Sequence, residues 1–420
     1  MAIPGFDDDR LKALIKTHLS ASDTIKDAEH LRGRSVNLRE IDRAFGAGGR
    51  HIFIYGDRGI GKTSLAQTAA FQHQSSEIEP PLVACYKEAS FSDLMATALQ
   101  RCVQHTVFNG SKRDQETLSV GPSFLKYTVQ RVSDNNLELG VVSVNDALSA
   151  FKYLIEKQIV REPVIVFDEF NQIADDAVKL NMANIIQQTS VQGVGVKFVF
   201  CGIGQSLDDL IGTHKSAERY LKTIRLEKIN HSARHEIIQT AFAAAGLEID
   251  REFVIRLGII SDGYPHYIHL ATEYILWAMF DDSETVSFCT SDHFKKGIYD
   301  SVRNAETSSR LTYDRATKKY MDDYQEVLWA FADTPVLERQ IQEVYGSSYD
   351  YVMKTRKKEK LSLDRFRSRV SMLVKDRHDR ILSSNGSGWY KFTDNVVRGF
   401  VRMKAEEAGV QLEKDHYSST

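Results

Sequence analysis

Short apolar runs alternate with amphipathic stretches through the first half of this 420-residue chain. His51–Tyr55 is an apolar strand running into a glycine-rich loop, and Thr63–His73 has helical composition. Pro81–Tyr86 predicts a second strand, and Phe91–Val107 an amphipathic helix with Leu94, Ala98 and Cys102 on one face. Helix returns at Ser143–Gln158, and Pro163–Phe167 and Gly195–Cys201 are third and fourth strands. These strands are continuously apolar rather than alternating. That pattern predicts an α/β fold whose parallel sheet is covered on both faces. Residues 108–140 break the rhythm, and Phe124–Val132 and Leu137–Val142 flank Ser133-Asp134-Asn135-Asn136 as an expected inserted hairpin at about 108–142.

The second half reads differently. Ala233–Ala244, Arg251–Ile260, Tyr267–Phe280 and Ser291–Ala305 have helical patterns only, and Glu306–Lys319 is polar enough to read as a connector. Tyr324–Phe331, Leu337–Val344 and Leu363–Val374 are then helical. Arg380–Leu382 and Trp389–Phe392 are short strands around an Asn385-Gly386 turn signal. Three helices followed by a hairpin is the order of a winged helix. The expected organisation is an N-terminal polar helix and linker (1–30), a core (31–231), an all-helical segment (232–305) and a C-terminal winged helix (320–410). No internal repeat is evident.

Composition adds limits. The apolar and charged fractions are those of an ordinary globular protein. Four cysteines lack metal-ligand spacing and read as buried thiols. No apolar run approaches the ~20 residues that span a bilayer, and the acidic Asp7–Asp9 argues against a secretory signal. The expectation is a cytoplasmic protein with no membrane contact. Charge is unevenly spread: residues 351–410 hold fifteen Lys and Arg against seven Asp and Glu, while the whole chain carries −3. A basic end on an acidic body points to a polyanion or to a solvated face.

The sharpest chemistry lies at Gly56-Asp57-Arg58-Gly59-Ile60-Gly61-Lys62-Thr63, between a strand and a helix. Three glycines permit a path on which consecutive N–H groups face phosphate oxygens, and the following helix, opening on Lys62-Thr63-Ser64, adds its N-terminal dipole. Lys62 is placed to reach the β- and γ-phosphates, and the Thr63 hydroxyl to ligate Mg²⁺. About a hundred residues on, Val164–Phe167 ends in Asp168-Glu169. The first carboxylate suits Mg²⁺, and the second suits a water that attacks the terminal phosphate.

These residues resemble the AAA+ and STAND branch of P-loop ATPases, which includes origin-recognition-type initiators. The segment Phe198–Arg219, with Leu31-Arg32-Gly33-Arg34 before the loop and Gly263-Tyr264-Pro265 after it, extends the resemblance over about residues 30–305. It implies ATP and Mg²⁺ as ligands, Gly33 and Arg34 beside the adenine, and a helical lid at 232–305 whose Pro265 packs near the nucleotide. It implies an arginine finger at Arg219, in cis or from a neighbouring copy, with an ordinary ion pair at Arg219 or Arg225 as the alternative. Gln205 is the nearest candidate for the polar sensor. A sensor arginine is missing where Pro265 and His266 stand, which favours a slow switch over a remodelling motor.

In the C-terminal region, Leu363, Phe366, Val370, Leu373 and Val374 share a helical face, with Arg365, Arg367 and Arg369 mostly on others. As a recognition helix it would set Lys357, Lys358, Arg367 and Arg369 against DNA phosphates. The expectation is an ATP-driven, Mg²⁺-dependent ATPase switch that binds DNA and assembles into a homo-oligomer with ATP. The competing expectation is a STAND-like scaffold whose partner is protein.

Overall fold

A computed structural model describes residues 2–19, 30–74, 78–109, 112–123, 125–126, 142–204, 208, 210, 215–318 and 323–413. In chain order, α1 (Asp8–His18) and α2 (Ser35–Gly46) precede β1 (His51–Tyr55) and α3 (Lys62–His73). Next come β2 (Leu82–Ala84), α4 (Phe91–Asn109), α5 (Lys112–Ser119), α6 (Val144–Glu156), β3 (Val164–Asp168), α7 (Asp176–Val191), β4 (Lys197–Gly202) and β5 (Leu221–Arg225). The chain divides into two compact units. One comprises Met1–Asp23, Arg58–Ile60 and Lys228–Thr420, and the other Thr24–Asp57 and Gly61–Glu227.

The second unit is built on a parallel five-stranded sheet of order β2-β3-β4-β1-β5. Residues 51–54, 164–167 and 198–202 are buried along β1, β3 and β4, as their unbroken apolar runs require. The fifth strand, Leu221–Arg225, escapes the sequence pattern because it buries only Ile224. A cluster of Phe53, Phe167, Phe170, Phe198 and Phe200 fills one side of the sheet. At the foot of β1, His51 is wholly enclosed. Its Nδ1 accepts the Phe198 N–H at 3.0 Å, so Nε2 carries the proton and faces Ser190 Oγ at 3.2 Å. Burial lowers its pKa to about 3, which keeps the imidazole neutral. Most of the expected hairpin at 124–142 falls outside the described residues. Before it, Lys112–Ser119 is helical.

In the first unit, the four expected helices appear as α8 (His231–Ala244), α9 (Arg251–Ile260), α10 (Pro265–Phe280) and α11 (Ser291–Asn304). At Gly297 of α11 an added Cβ would lie 2.7 Å from the Ile275 Cα, so these two helices pack at a distance only glycine permits. The N-terminal helix α1 is not simply polar: Leu11, Leu14 and Ile15 are buried. The expected connector is also corrected. Thr307–Thr317 forms α12, burying Ser309, Tyr313, Ala316 and Thr317, because these four share one helical stripe despite the polar average.

The chain ends with α13 (Asp323–Ala332), β6 (Glu338–Gln340), α14 (Ile341–Gly346), α15 (Ser348–Arg356), α16 (Leu363–Leu373), β7 (Leu382–Gly386), β8 (Trp389–Phe392) and α17 (Asn395–Glu407). Leu337–Val344, expected as helix, opens as strand β6, which pairs antiparallel with β8 in a sheet of order β6-β8-β7. Among the described residues no helix is long and apolar enough to cross a membrane.

Candidate nucleotide site

Strand β1 delivers the chain to Gly56, whose N–H reaches the Gly202 carbonyl at the end of β4. A Cβ on Gly56 would sit 2.5 Å from the Leu226 carbonyl oxygen, so no other residue fits there. Gly59 and Gly61 adopt φ of +70° and +93°, left-handed values natural to glycine. Gly61 is the N-cap of α3, and Ile60 is buried while Asp57 and Arg58 are exposed. The loop therefore presents backbone at the start of a helix, where orphan N–H groups attract anions.

Two side chains of the first helical turn are held in place. The Lys62 ammonium donates to the carbonyls of Gly56 at 3.1 Å and Asp57 at 2.8 Å. Burial lowers its pKa, with Asp168, Asp57 and Glu169 pulling the other way. The Thr63 hydroxyl donates to Asp168 Oδ2 at 2.6 Å. Asp168 closes β3, which is separated from β1 by β4, so the bond spans two strand ends at one edge of the sheet. Glu169 follows, exposed, with φ +53°, and its N–H donates to Asp168 Oδ1 at 2.9 Å. A non-glycine residue in that region carries strain of about 1–2 kcal/mol.

Arg34 is buried near the end of the same unit. Its guanidinium donates to the Glu227 carbonyl at 2.7 Å, and burial lowers its pKa to about 10. Gly33 before it has φ +73°. Cys201, one of the four cysteines read as buried thiols, is buried in β4 with its Sγ 3.7 Å from the Lys62 carbonyl. Burial raises that thiol well above its ordinary pKa, and the nearby Asp168 carboxylate adds to the rise, so it fills space beneath α3 as an inert neutral group.

A family model for the AAA ATPase domain matches residues 30–199, which contain both acidic and glycine motifs. The chain carries an AAA ATPase domain. No curated protein sequence matches it. Among solved structures, the Walker-type ATPase of Pyrococcus abyssi is similar over 91% of this chain and 99% of its own, at 15% identity and a TM-score of 0.53. Cdc6p from Pyrobaculum aerophilum aligns over 96% and 99% at 12% identity and a TM-score of 0.44. The Aeropyrum pernix ORC2 protein, solved with ADPNP and ADP, aligns over 92% and 97% at 13% identity and 0.48. Likeness at these levels is one of fold.

The AAA ATPase domain thus brings Gly56, Lys62, Thr63, Asp168 and Glu169 to one sheet edge. Ser64 follows in the first turn of α3. Arg219 lies in the 3₁₀ turn Lys215–Tyr220, exposed, and makes no ion pair among the described residues; Arg225 has a long one to Glu227 at 3.8 Å. Gln205 lies outside the described residues. In the first unit, Pro265 is the first residue of α10, where a missing N–H costs nothing. Gly263 before it has φ +77°, and a Cβ there would meet Arg234 Nη2 at 2.6 Å.

The four cations expected against DNA divide in two. Lys358 pairs with buried Glu326 at 2.9 Å, and Arg369 lies 3.4 Å from Asp323 and 5.2 Å over the Tyr324 ring, so both are committed internally. Lys357 and Arg367 are exposed, the latter with a long contact to Asp364 at 3.9 Å. Arg365, Lys375 and Lys391 are exposed as well. Among the described residues no group of His, Cys, Asp and Glu is arranged to hold a metal by itself.

Proposed function

We propose that the chain is an ATP-dependent molecular switch that binds ATP with Mg²⁺ and hydrolyses it slowly. The observation that carries this is the Thr63–Asp168 hydrogen bond at 2.6 Å beside a loop whose Gly56 admits no side chain. A hydroxyl and a carboxylate are hard oxygen donors, the set that suits Mg²⁺ when the remaining ligands are water and phosphate. The ion, when bound, neutralises phosphate charge. Lys62 would leave the loop carbonyls for the phosphates, Asp168 and Thr63 would hold the ion, and Glu169 would orient the attacking water. Arg219 is free to stabilise the transferring phosphoryl group, and Gly33 and Arg34 would border the base.

Replacing Glu169 with Gln tests the reading. The variant should bind a fluorescent ATP analogue as the parent does and release no phosphate; turnover equal to the parent would remove Glu169 from that role. Lys62→Ala should lose nucleotide binding instead.

We further propose that residues 320–410 are a winged helix that binds DNA. The order helix, strand, three helices and hairpin supports it, as does the cationic side of α16 at Arg365 and Arg367. One observation favours the protein-partner reading: Lys358 and Arg369 are spent on internal pairs, which thins the cationic surface. Affinity for a generic duplex as a function of salt separates the two, because phosphate contacts release counterions. An absence of binding at low salt would leave the protein-partner reading.

A further inference from the structure

The lid helices and the C-terminal helices, both in the first unit, exchange charges in both directions. Helix α9 gives Arg256 to α17, where the guanidinium pairs with Glu406 and donates to the Leu412 carbonyl at 2.9 Å. In return, α17 gives Arg398 and Arg402 to Asp262, just past the end of α9. Lys228 joins them, donating to Asp262 Oδ2 at 2.8 Å and lying 4.9 Å over the Tyr264 ring.

Helix termination does not explain this aspartate. Asp262 has φ +52°, and its N–H donates to the Ile259 carbonyl at 3.0 Å, the usual place of Gly or Asn. A negative charge there also opposes the helix dipole. The three cations do explain it. Arg402 additionally donates to the Ile259 carbonyl at 2.7 Å, and the Tyr267 hydroxyl donates to the Val396 carbonyl at 2.9 Å. At Gly399 a Cβ would lie 2.6 Å from the Tyr267 ring, so α17 approaches α10 as closely as only glycine allows.

We propose that α17 fuses the lid and the C-terminal helices into one moving body, so that nucleotide-driven movement of the lid carries residues 320–410 with it. This rests on the switch reading above. The joint is Glu227–Lys228, the last of the four places where the chain passes between the units. Within the second unit the Glu227 carbonyl is held by Arg34, and within the first the Lys228 ammonium is held by Asp262. Helix α12 is not the joint, since it buries Tyr313 and Ala316.

The test uses spin labels on the full chain, whose four native cysteines are buried. Cysteines replace exposed Asp292 of α11, Ser368 of α16 and Val191 of α7 in pairs. The Asp292–Ser368 distance should be narrow and identical without nucleotide, with Mg·ADP and with a non-hydrolysable Mg·ATP analogue, while Val191–Ser368 shifts. Asp262→Asn should broaden the Asp292–Ser368 distribution about twofold as the two halves gain independent movement. Should that variant not fold, Lys228→Met with Asp262→Asn removes one charge of each sign and cuts the same tie. A parent Asp292–Ser368 distance that changes with nucleotide, or a variant distribution as narrow as the parent's, overturns the one-body proposal. A Val191–Ser368 distance indifferent to nucleotide counts against the switch instead, and the Asp292–Ser368 widths still decide the proposal.

Discussion

Replacing Asp262 with Asn isolates one electrostatic quantity. Asn tolerates left-handed backbone as well as Asp does, so the turn after α9 keeps its geometry and only the charge is lost. The carboxylate is buried, and despite that burial the Arg398 and Arg402 guanidiniums and Lys228 hold its pKa down from 3.8 to about 2. A displacement of that size corresponds to about 2–3 kcal/mol of native-state stability at neutral pH. Removing the anion also leaves enclosed cations without their partner, a change that in buried pairs costs about 3–5 kcal/mol. The loss at pH 7 should therefore be about 3 kcal/mol. Because the folded pKa is the lower one, the carboxylate's contribution is complete above the unfolded pKa and fades as pH falls toward 2. More than half of it should be gone near pH 2.5. Urea unfolding followed through Trp329, buried in α13, reads the difference between parent and variant at each pH. A difference below about 1 kcal/mol at pH 7 would refute the reasoning, as would one that does not shrink between about pH 5 and 2.5.

Four other outcomes follow from the structure. Gly263→Ala should cost about 2 kcal/mol or more in a melting experiment, since it meets both a left-handed φ and the Arg234 guanidinium. His51, neutral with its pKa lowered to about 3, supports the fold above its ordinary value near 6.5 and loses that support as pH falls toward 3; His51→Gln should flatten the stability profile there, and an unchanged profile would contradict its enclosure. Reversing Arg365 and Arg367 to Glu should weaken duplex binding and reduce the salt slope by about 2, with melting unchanged. Reversing Lys358 and Arg369 should instead lower the melting temperature by exposing buried Glu326 to a like charge, and equal effects from the two pairs would contradict the division.

What could be read from the chain was whatever its neighbours in sequence determine. Gly56–Thr63 and Val164–Glu169 are local chemistry, and each carries strand, turn and functional side chain in a few residues. The four helices α8 to α11 were legible for the same reason, having long apolar stripes. Strand β5 was not, because Leu-Lys-Thr-Ile-Arg shows an edge strand's polar face and gets its identity from pairing with β1. Helix α12 hid behind an average that its Ser309–Tyr313 stripe contradicts. Arg398 and Arg402 were counted with the basic surface, yet both are buried against a carboxylate more than a hundred residues earlier. No periodicity encodes a partner at that separation.

The two arginines of α17 also set how this protein can be taken apart. A fragment cut near residue 320, the natural boundary on sequence, would carry Arg398 and Arg402 without Asp262, and Glu406 without Arg256. It would bring charged groups into its interior with nothing to answer them, and the Tyr267 face against Gly399 would be missing. The smallest piece that keeps its charges balanced begins at Lys228 and runs through Glu413. Recombining the C-terminal helices with another ATPase core would therefore have to move α8 to α11 along with them.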